Sequence, residues 1–318
     1  DNLERIGKVA LPEISDILPS PNTRYYRNKM EFSFSDSRWL TREEIEGGGA
    51  ELEKRGLGLH VPGRWDKVVD IGHCHLQPDP SNDLRNTIRE FALKQEYSFF
   101  NPRTHQGFLR NLIIRTSSNG EVMAIVVFSD RQDGALEALM DHLQQRFPGI
   151  TSLIYMINQK ANDSIYDLTP VVYAGRGFIY EEMEGLRFKV GPKSFYQTNS
   201  HQAYRLYQLV REYAGLGGDE HVYDLYTGTG TIANFLARHA DRITGIESVP
   251  EAIEDARENA RVNEIDNTHF VSGDMKDLLN DEFMQQHGRP DVVVTDPPRA
   301  GMHKDVVHQL LKTAPHTI

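Results

Sequence analysis

The chain has 318 residues, 39% hydrophobic and 25% charged, with a formal net charge of −11. This is the composition of an ordinary globular chain with room for two domains. It excludes a membrane span, since no apolar run approaches ~18 residues, and it argues against non-specific nucleic-acid binding. The single cysteine, Cys74, excludes an internal disulfide framework and suits a reducing, cytoplasmic setting.

From the N-terminus, helical spacing over 1–20 is broken at Pro12 and Pro19. The start has neither an initiator Met nor a long apolar segment, so it reads as cut rather than as a signal peptide. Tyr26 to Phe34 alternates as a strand. Residues 37–54 are a polar excursion with Gly47-Gly48-Gly49. A hairpin is expected over 56–71 around Pro62-Gly63, and a helix over 82–96. Strands over 108–115 and 122–128, a helix over 136–147 and a strand over 153–158 follow. Val171–Tyr173 and Phe178–Glu181 suggest another hairpin. Strand pairs and helices in this order predict an α+β central domain over 1–185.

Two acid-free segments stand out in this first part. One contains Arg24, Arg27 and Lys29 around Tyr25 and Tyr26, and the other contains Arg103, Arg110 and Arg115. Cations interleaved with aromatics suit single-stranded RNA, with phosphates on Arg and Lys and bases on rings. The alternative is solvated strand faces whose arginines pair with acids elsewhere. His73-Cys74-His75 has the wrong spacing for a zinc pair and reads as a small buried thiol.

Over 186–318 the pattern is that of a doubly wound α/β sheet. Asn199 or Ser200 caps a helix to Ala214. Strand 222–226, the turn Thr227-Gly228-Thr229-Gly230, a helix to His239 and strand 243–246 form a nucleotide-binding unit. Pro250 opens a helix to Asn263, His269–Val271 is a strand, Asp291–Thr295 a fully buried one, and 303–312 a helix. The turn lacks the third glycine of a dinucleotide fingerprint, so a phosphate-free nucleoside such as S-adenosylmethionine fits better than a pyrophosphate. Alone, it is equally a glycine turn of any α/β protein. Successive strand ends present Tyr226 with the glycines, then Glu247, Asp274 and Asp296. Glu247 suits ribose hydroxyls, Asp274 an adenine amino group, and Asp296-Pro297-Pro298 the place where a target base meets the methyl donor. Singly, each acid could equally be a helix cap.

D-L-Y-T-G-T-G (224–230), G-I-E (245–247), F-Y-Q-T-N (195–199) and D-P-P-R-A-G (296–301) together resemble the RNA uracil-C5 methyltransferases. Upstream, Tyr26-Arg27-Asn28-Lys29, Gly107-Phe108-Leu109-Arg110 and Cys74 resemble that family's central domain. The resemblance implies a Rossmann-like methyltransferase domain using S-adenosylmethionine to make 5-methyluridine in ribosomal or transfer RNA, with ribosomal RNA favoured. It assigns Gln197, Tyr226, Gly228, Gly230, Thr231, Glu247, Asp274 and Asp296 to the cofactor. Phe195, Gln197, Asp296 and Arg299 would hold an extruded uracil, with Asp296 facing N3–H. The family's nucleophile, a cysteine that adds to C6, and its base would both fall beyond Ile318. Cys74 would correspond to one ligand of a 4Fe-4S cluster whose partners precede Asp1, so no cluster is expected in this stretch. The implied whole is a monomeric enzyme, inactive as this stretch alone. The rivals are a non-catalytic RNA-binding module and an amino-methyltransferase acting on adenine or glutamine. An oxidoreductase is disfavoured by the incomplete dinucleotide turn.

Overall fold

The structure is a computed structural model that describes residues 2–48 and 52–318. In chain order, α1 (Asn2–Arg5) precedes an extended stretch and β1 (Lys29–Ser35). Next come α2 (Arg42–Glu46), β2 (Gly56–Val61), β3 (Arg64–Asp70), α3 (Ser81–Lys94), β4 (Leu109–Thr116), β5 (Val122–Phe128), α4 (Ala135–Arg146), β6 (Ser152–Ile157) and β7 (Val171–Gly175). These seven strands form one sheet in the order β3-β2-β1-β4-β5-β6-β7, antiparallel except where β5 meets β6. Alternation along the strands gives the sheet two different faces. Phe32, Leu112, Ala124 and Val126 pack with Leu84 and Ile88 of α3 and Leu139 and Leu143 of α4. Ile113, Met123, Ile125 and Val127 face the other way and join the core of the second half.

That second half contains β8 (Ile179–Met183), β9 (Leu186–Val190), α5 (Ser200–Ala214), β10 (His221–Leu225), α6 (Thr231–Leu236), β11 (Arg242–Glu247), α7 (Pro250–Val262) and β12 (Thr268–Ser272). It closes with α8 (Met275–Leu278), α9 (Asp281–His287), β13 (Val292–Thr295) and α10 (Lys304–Thr313). Its sheet is wholly parallel, in the order β12-β11-β10-β13. This is the α/β, Rossmann-like arrangement expected from the sequence. β8 and β9 form a separate two-stranded ribbon. One apolar cluster runs from Ile113 and Ile125 through Phe188 and Tyr207 to Phe235, Ile253 and Phe270, so the two sheets share a core.

Three expectations are corrected. Val171–Gly175 does not pair with the following strand. It adds to the edge of β6, while Ile179–Met183 pairs with Leu186–Val190 across the turn at Glu184-Gly185. The polar excursion holds a short helix, α2, started by a capping box between Thr41 and Glu44; its residues 49–51 lie outside the described residues. Asp291–Thr295 is not fully buried: Val294 and Thr295 are half-exposed because β13 is the last strand of its sheet, covered by a single bridge from Val292 to Thr317.

Candidate active site

The carboxyl end of the parallel sheet is built by the Asp224–Gly230 turn. Tyr226, Gly228 and Gly230 all have positive φ (64°, 54° and 72°), so the chain reverses within one turn before α6 begins. The two glycines serve different ends. A Cβ on Gly230 would lie 2.8 Å from the Ala256 methyl and 2.9 Å from the Phe270 ring, so Gly230 lets α6 close onto its neighbours. A Cβ on Gly228 would meet nothing within 4 Å, so there the backbone faces open space a ligand can approach.

Asp224 is buried beneath the turn. Its Oδ2 accepts from Thr227 Oγ1 (2.5 Å) and from the Ala233 N–H (3.1 Å), clamping both sides of the bend. Burial pushes its carboxyl up to about 7; those donors oppose the shift, and the charges of Asp296 and Glu247 add to it. Asn259, fully buried on α7, donates to the Thr229 carbonyl (2.9 Å), and its Oδ1 accepts from Lys189 N–H (2.7 Å). It therefore ties the glycine turn to β9.

Around this turn the strand-end acids gather. Glu247 Oε2 accepts from the Gly228 N–H (3.2 Å), and its Oε1 accepts from the N–H groups of Ser248 (2.7 Å) and Val249 (3.0 Å). Burial raises the Tyr226 phenol, and the charges of Asp274 and Glu247 raise it further. Tyr207 below is raised by burial and then by Asp296 and Asp224. Asp274 is the N-cap of α8: it accepts from Lys276 N–H (3.1 Å) and pairs with its ammonium (3.0 Å), which holds its carboxyl below the usual range. A carboxylate has lone pairs to spare for a further donor. Thr231 is buried, its hydroxyl 3.3 Å from that of Thr229.

The segment carrying Phe195 and Gln197 links β9 to α5 within the second half. Gln197 Nε2 donates to Asp296 Oδ2 (3.4 Å). Its main chain is held from the central sheet: Asn28 Nδ2 donates to the Gln197 carbonyl (2.8 Å) and Asn28 N–H to that of Thr198 (2.8 Å). Arg115 Nη2 donates to the Ser194 carbonyl (2.7 Å). Phe195 is 67% exposed and Arg299 is exposed, with no ion pair among the described residues. Asn28, Arg115, Asp224 and Asn259 were not assigned these positioning duties from sequence. Asn28 and Asp224 sit inside quoted motifs and Arg115 in an acid-free segment, whereas nothing in the sequence singles out Asn259.

The cations expected to meet RNA divide. Arg24 is exposed. Arg27 is half-buried with a buried, unpartnered Nε, Lys29 pairs with Glu31 (3.0 Å), and Arg103 pairs with Asp66. Arg110 and Arg115 are corrections. Arg110 is 2% exposed; its guanidinium donates to the carbonyls of Asn158, Lys160 and Asn162 and to Asp163. It is the extra residue of a β-bulge between Leu109 and Asn111, which aims it into that loop. Arg115 is 4% exposed, and burial lowers its guanidinium to about 10. Cys74 is buried and free, its main chain paired with the Asn82 carboxamide, and no metal-binding cluster occurs among the described residues. Nor is any helix of the described residues long and apolar enough to cross a membrane.

The donor set suits S-adenosylmethionine. Glu247, Asp274 and Asp296 stand at successive strand ends and the turn offers an open glycine, a set of carboxylates that favours a cationic sulfonium over a pyrophosphate.

A family model for methyltransferase domains matches residues 216–313. An uncharacterized RNA methyltransferase of Bacteroides thetaiotaomicron is 58% identical over all of this chain and 71% of its own length. One of Porphyromonas gingivalis is 55% identical over all of this chain and 70% of its own. Among solved structures, the Pyrococcus abyssi tRNA (uracil-54, C5)-methyltransferase bound to S-adenosyl-L-homocysteine superposes with a TM-score of 0.74 at 27% identity. That match covers 94% of this chain and 66% of the other, so the chain spans about two thirds of that relative's length. With its parallel sheet, glycine turn and acidic rim, the chain belongs to the S-adenosylmethionine-dependent RNA methyltransferases.

Proposed function

We propose that the base methylated is uracil, at C5, with ribosomal RNA favoured over transfer RNA. The observation that carries this is the approach of Gln197 to Asp296 at 3.4 Å, which joins the F-Y-Q-T-N segment to the D-P-P-R-A-G loop beside the cofactor rim. The 27%-identical Pyrococcus abyssi enzyme, named for uracil C5 of a transfer RNA, supports the base assignment but not the choice of ribosomal RNA. The reading divides the chain into a central RNA-contacting part, 1–185, and a methyltransferase part, 186–318, acting as a monomer.

Glu247 would accept from the ribose hydroxyls, and Asp274 from the adenine amino group. Gly228 lets the nucleoside lie against main chain, with Tyr226, Gly230 and Thr231 shaping the rim. The bound cofactor supplies an electrophilic methyl. The chain's own residues orient the base. Phe195 offers an exposed ring to an unstacked pyrimidine, Arg299 a cation over its carbonyl side, and Asp296 an acceptor for N3–H. Cytosine has no N3–H, so Asp296 would discriminate against it. Uracil C5 is a weak nucleophile and needs a thiolate adding at C6. Cys74 is buried in the other sheet's core, so in this reading the thiolate comes from outside these 318 residues.

The test is binding of short single-stranded RNAs in the presence of S-adenosylhomocysteine. A uridine-centred oligonucleotide is expected to bind about tenfold tighter than a cytidine-centred one. Asp296→Asn, which can donate where Asp296 accepts, should erase or invert that ratio. Equal binding by the unmodified chain, or preference for adenosine, overturns the uracil assignment. Formation of 5-methyluridine by this chain alone overturns the external thiolate.

A further inference from the structure

Away from the cofactor rim, a groove of about 970 Å³ opens on the seven-stranded sheet. Its floor follows from sequence. Ser33 pairs laterally with Gly58 on one side and Asn111 on the other, and Ser35 with Gly56. Small residues side by side on a sheet face leave a trough. Its walls are the β2–β3 hairpin, with His60, Arg64 and Trp65, and the loop carrying Phe100 and Arg103. A second hollow of about 370 Å³ shares Phe100, His105 and Arg110 with it.

Three features suit a nucleobase strand. The register of β2 and β3 shifts at His60/Val61, a bulge that flares the β3 end outward; Trp65 there is 61% exposed. Arg103 lies 5.7 Å from the centre of the Trp65 ring. Asn111 is 91% buried, and one end of its carboxamide reaches Ser33 Oγ (3.3 Å) while the Oδ1 end is buried without any partner. A buried, unpaired amide oxygen is costly unless something arrives to donate to it. Both acids of the groove are already neutralised, Asp66 by Arg103 and Asp163 by Arg110. Arg64 has no ion pair among the described residues. A cationic rim with a ring and an amide edge on an otherwise acidic chain selects a polyanion carrying flat bases.

The position fits too. Side-chain alternation puts Ser33 and Asn111 on the same face as Ile113, the face on which the methyltransferase half packs. Asn28, which holds Gln197, lies five residues before Ser33, about 17 Å along an extended strand.

We propose that this groove seats a single-stranded segment of the RNA substrate several nucleotides from the methylated base. One base stacks on Trp65 and is read at its edge by Asn111, and the flanking phosphates lie on Arg64 and Arg103. The proposal rests on the RNA reading of the site.

The chain has two tryptophans, so Trp39→Phe leaves Trp65 as the only indole reporter. In that background, a ten-nucleotide oligouridylate should roughly halve the indole emission, and an RNA duplex of the same length should not. By anisotropy of a labelled oligouridylate, Trp65→Ala should weaken binding about tenfold, and Trp65→Phe should recover most of it. Arg64→Ala should lower the salt dependence by about one phosphate. RNA that binds by anisotropy with Trp65 emission unchanged, or Trp65→Ala binding as tightly as the unmodified chain, overturns the groove and leaves the RNA reading standing. No binding of any oligonucleotide overturns both.

Discussion

In the seven-stranded sheet and the helix α3 packed on it, Arg85, Arg110 and Arg115 are almost free of solvent and donate to main-chain carbonyls. In the four-stranded sheet, Glu247, Asp274 and Asp296 stand at strand ends with oxygens that an incoming donor can reach. The two regions use charge for opposite purposes. Inside the first, a planar cation with five donors gathers loops that carry no regular structure of their own. At the edge of the second, acids left half-solvated keep spare lone pairs for a ligand. The first region's charges are therefore worth most to stability, and the second's to binding.

The sharpest way to break that contrast is Arg110→Ala. It would leave the carbonyls of Asn158, Lys160 and Asn162 without their donor, while exposed Asp163 returns to solvent, and should cost about 3 kcal/mol in urea unfolding. A loss below about 1 kcal/mol would mean the guanidinium is dispensable, as a surface cation would be.

Next in size is Asp224, the one acid of the second region that behaves like the first. Its folded carboxyl lies near 7, against about 3.8 when unfolded. The folded state thus binds the proton more tightly. Its contribution is fully present below about pH 3.8 and is lost as pH rises to about 7, amounting to roughly 4 kcal/mol at most. Asp224→Asn keeps an oxygen for Thr227 and Ala233 and carries no titration. Its stability measured from pH 4 to 7 should fall less steeply than that of the unmodified chain; parallel curves would show that Asp224 is ionised throughout.

Much of this architecture was legible beforehand. The T-G-T-G turn, Pro250 at a helix start and the branched run Val292–Val294 each follow a local rule, and local rules fix local geometry. The gathering of Gln197 and Asp296 was legible only through motifs, because they lie 99 residues apart. What sequence could not show was burial. Arg110 is turned inward by a bulge, and a bulge is a property of two strands in register, not of either alone. The pairing of β8 with β9 rather than β7 was likewise a choice among neighbours: Val171 and Val172 remain partly exposed even on the edge of β6. Asn259 looked like one more polar helix residue, and only its two partners reveal its duty.

The finest comparison lies within the glycine turn itself, two residues apart. Gly230→Ala puts a methyl against Ala256 and Phe270 at a φ of 72°, and both effects oppose folding, by about 2–3 kcal/mol together. Gly228→Ala carries only the backbone term, about 1–2 kcal/mol at a φ of 54°, since its methyl meets no protein atom. If the open side of Gly228 is where the nucleoside lies, that methyl should nevertheless weaken S-adenosylhomocysteine binding by tenfold or more in calorimetry. Gly230→Ala, measured well below its lowered unfolding midpoint, should bind more tightly than Gly228→Ala. The reverse order of affinities would move the cofactor off the turn and leave the acids at the strand ends as caps alone.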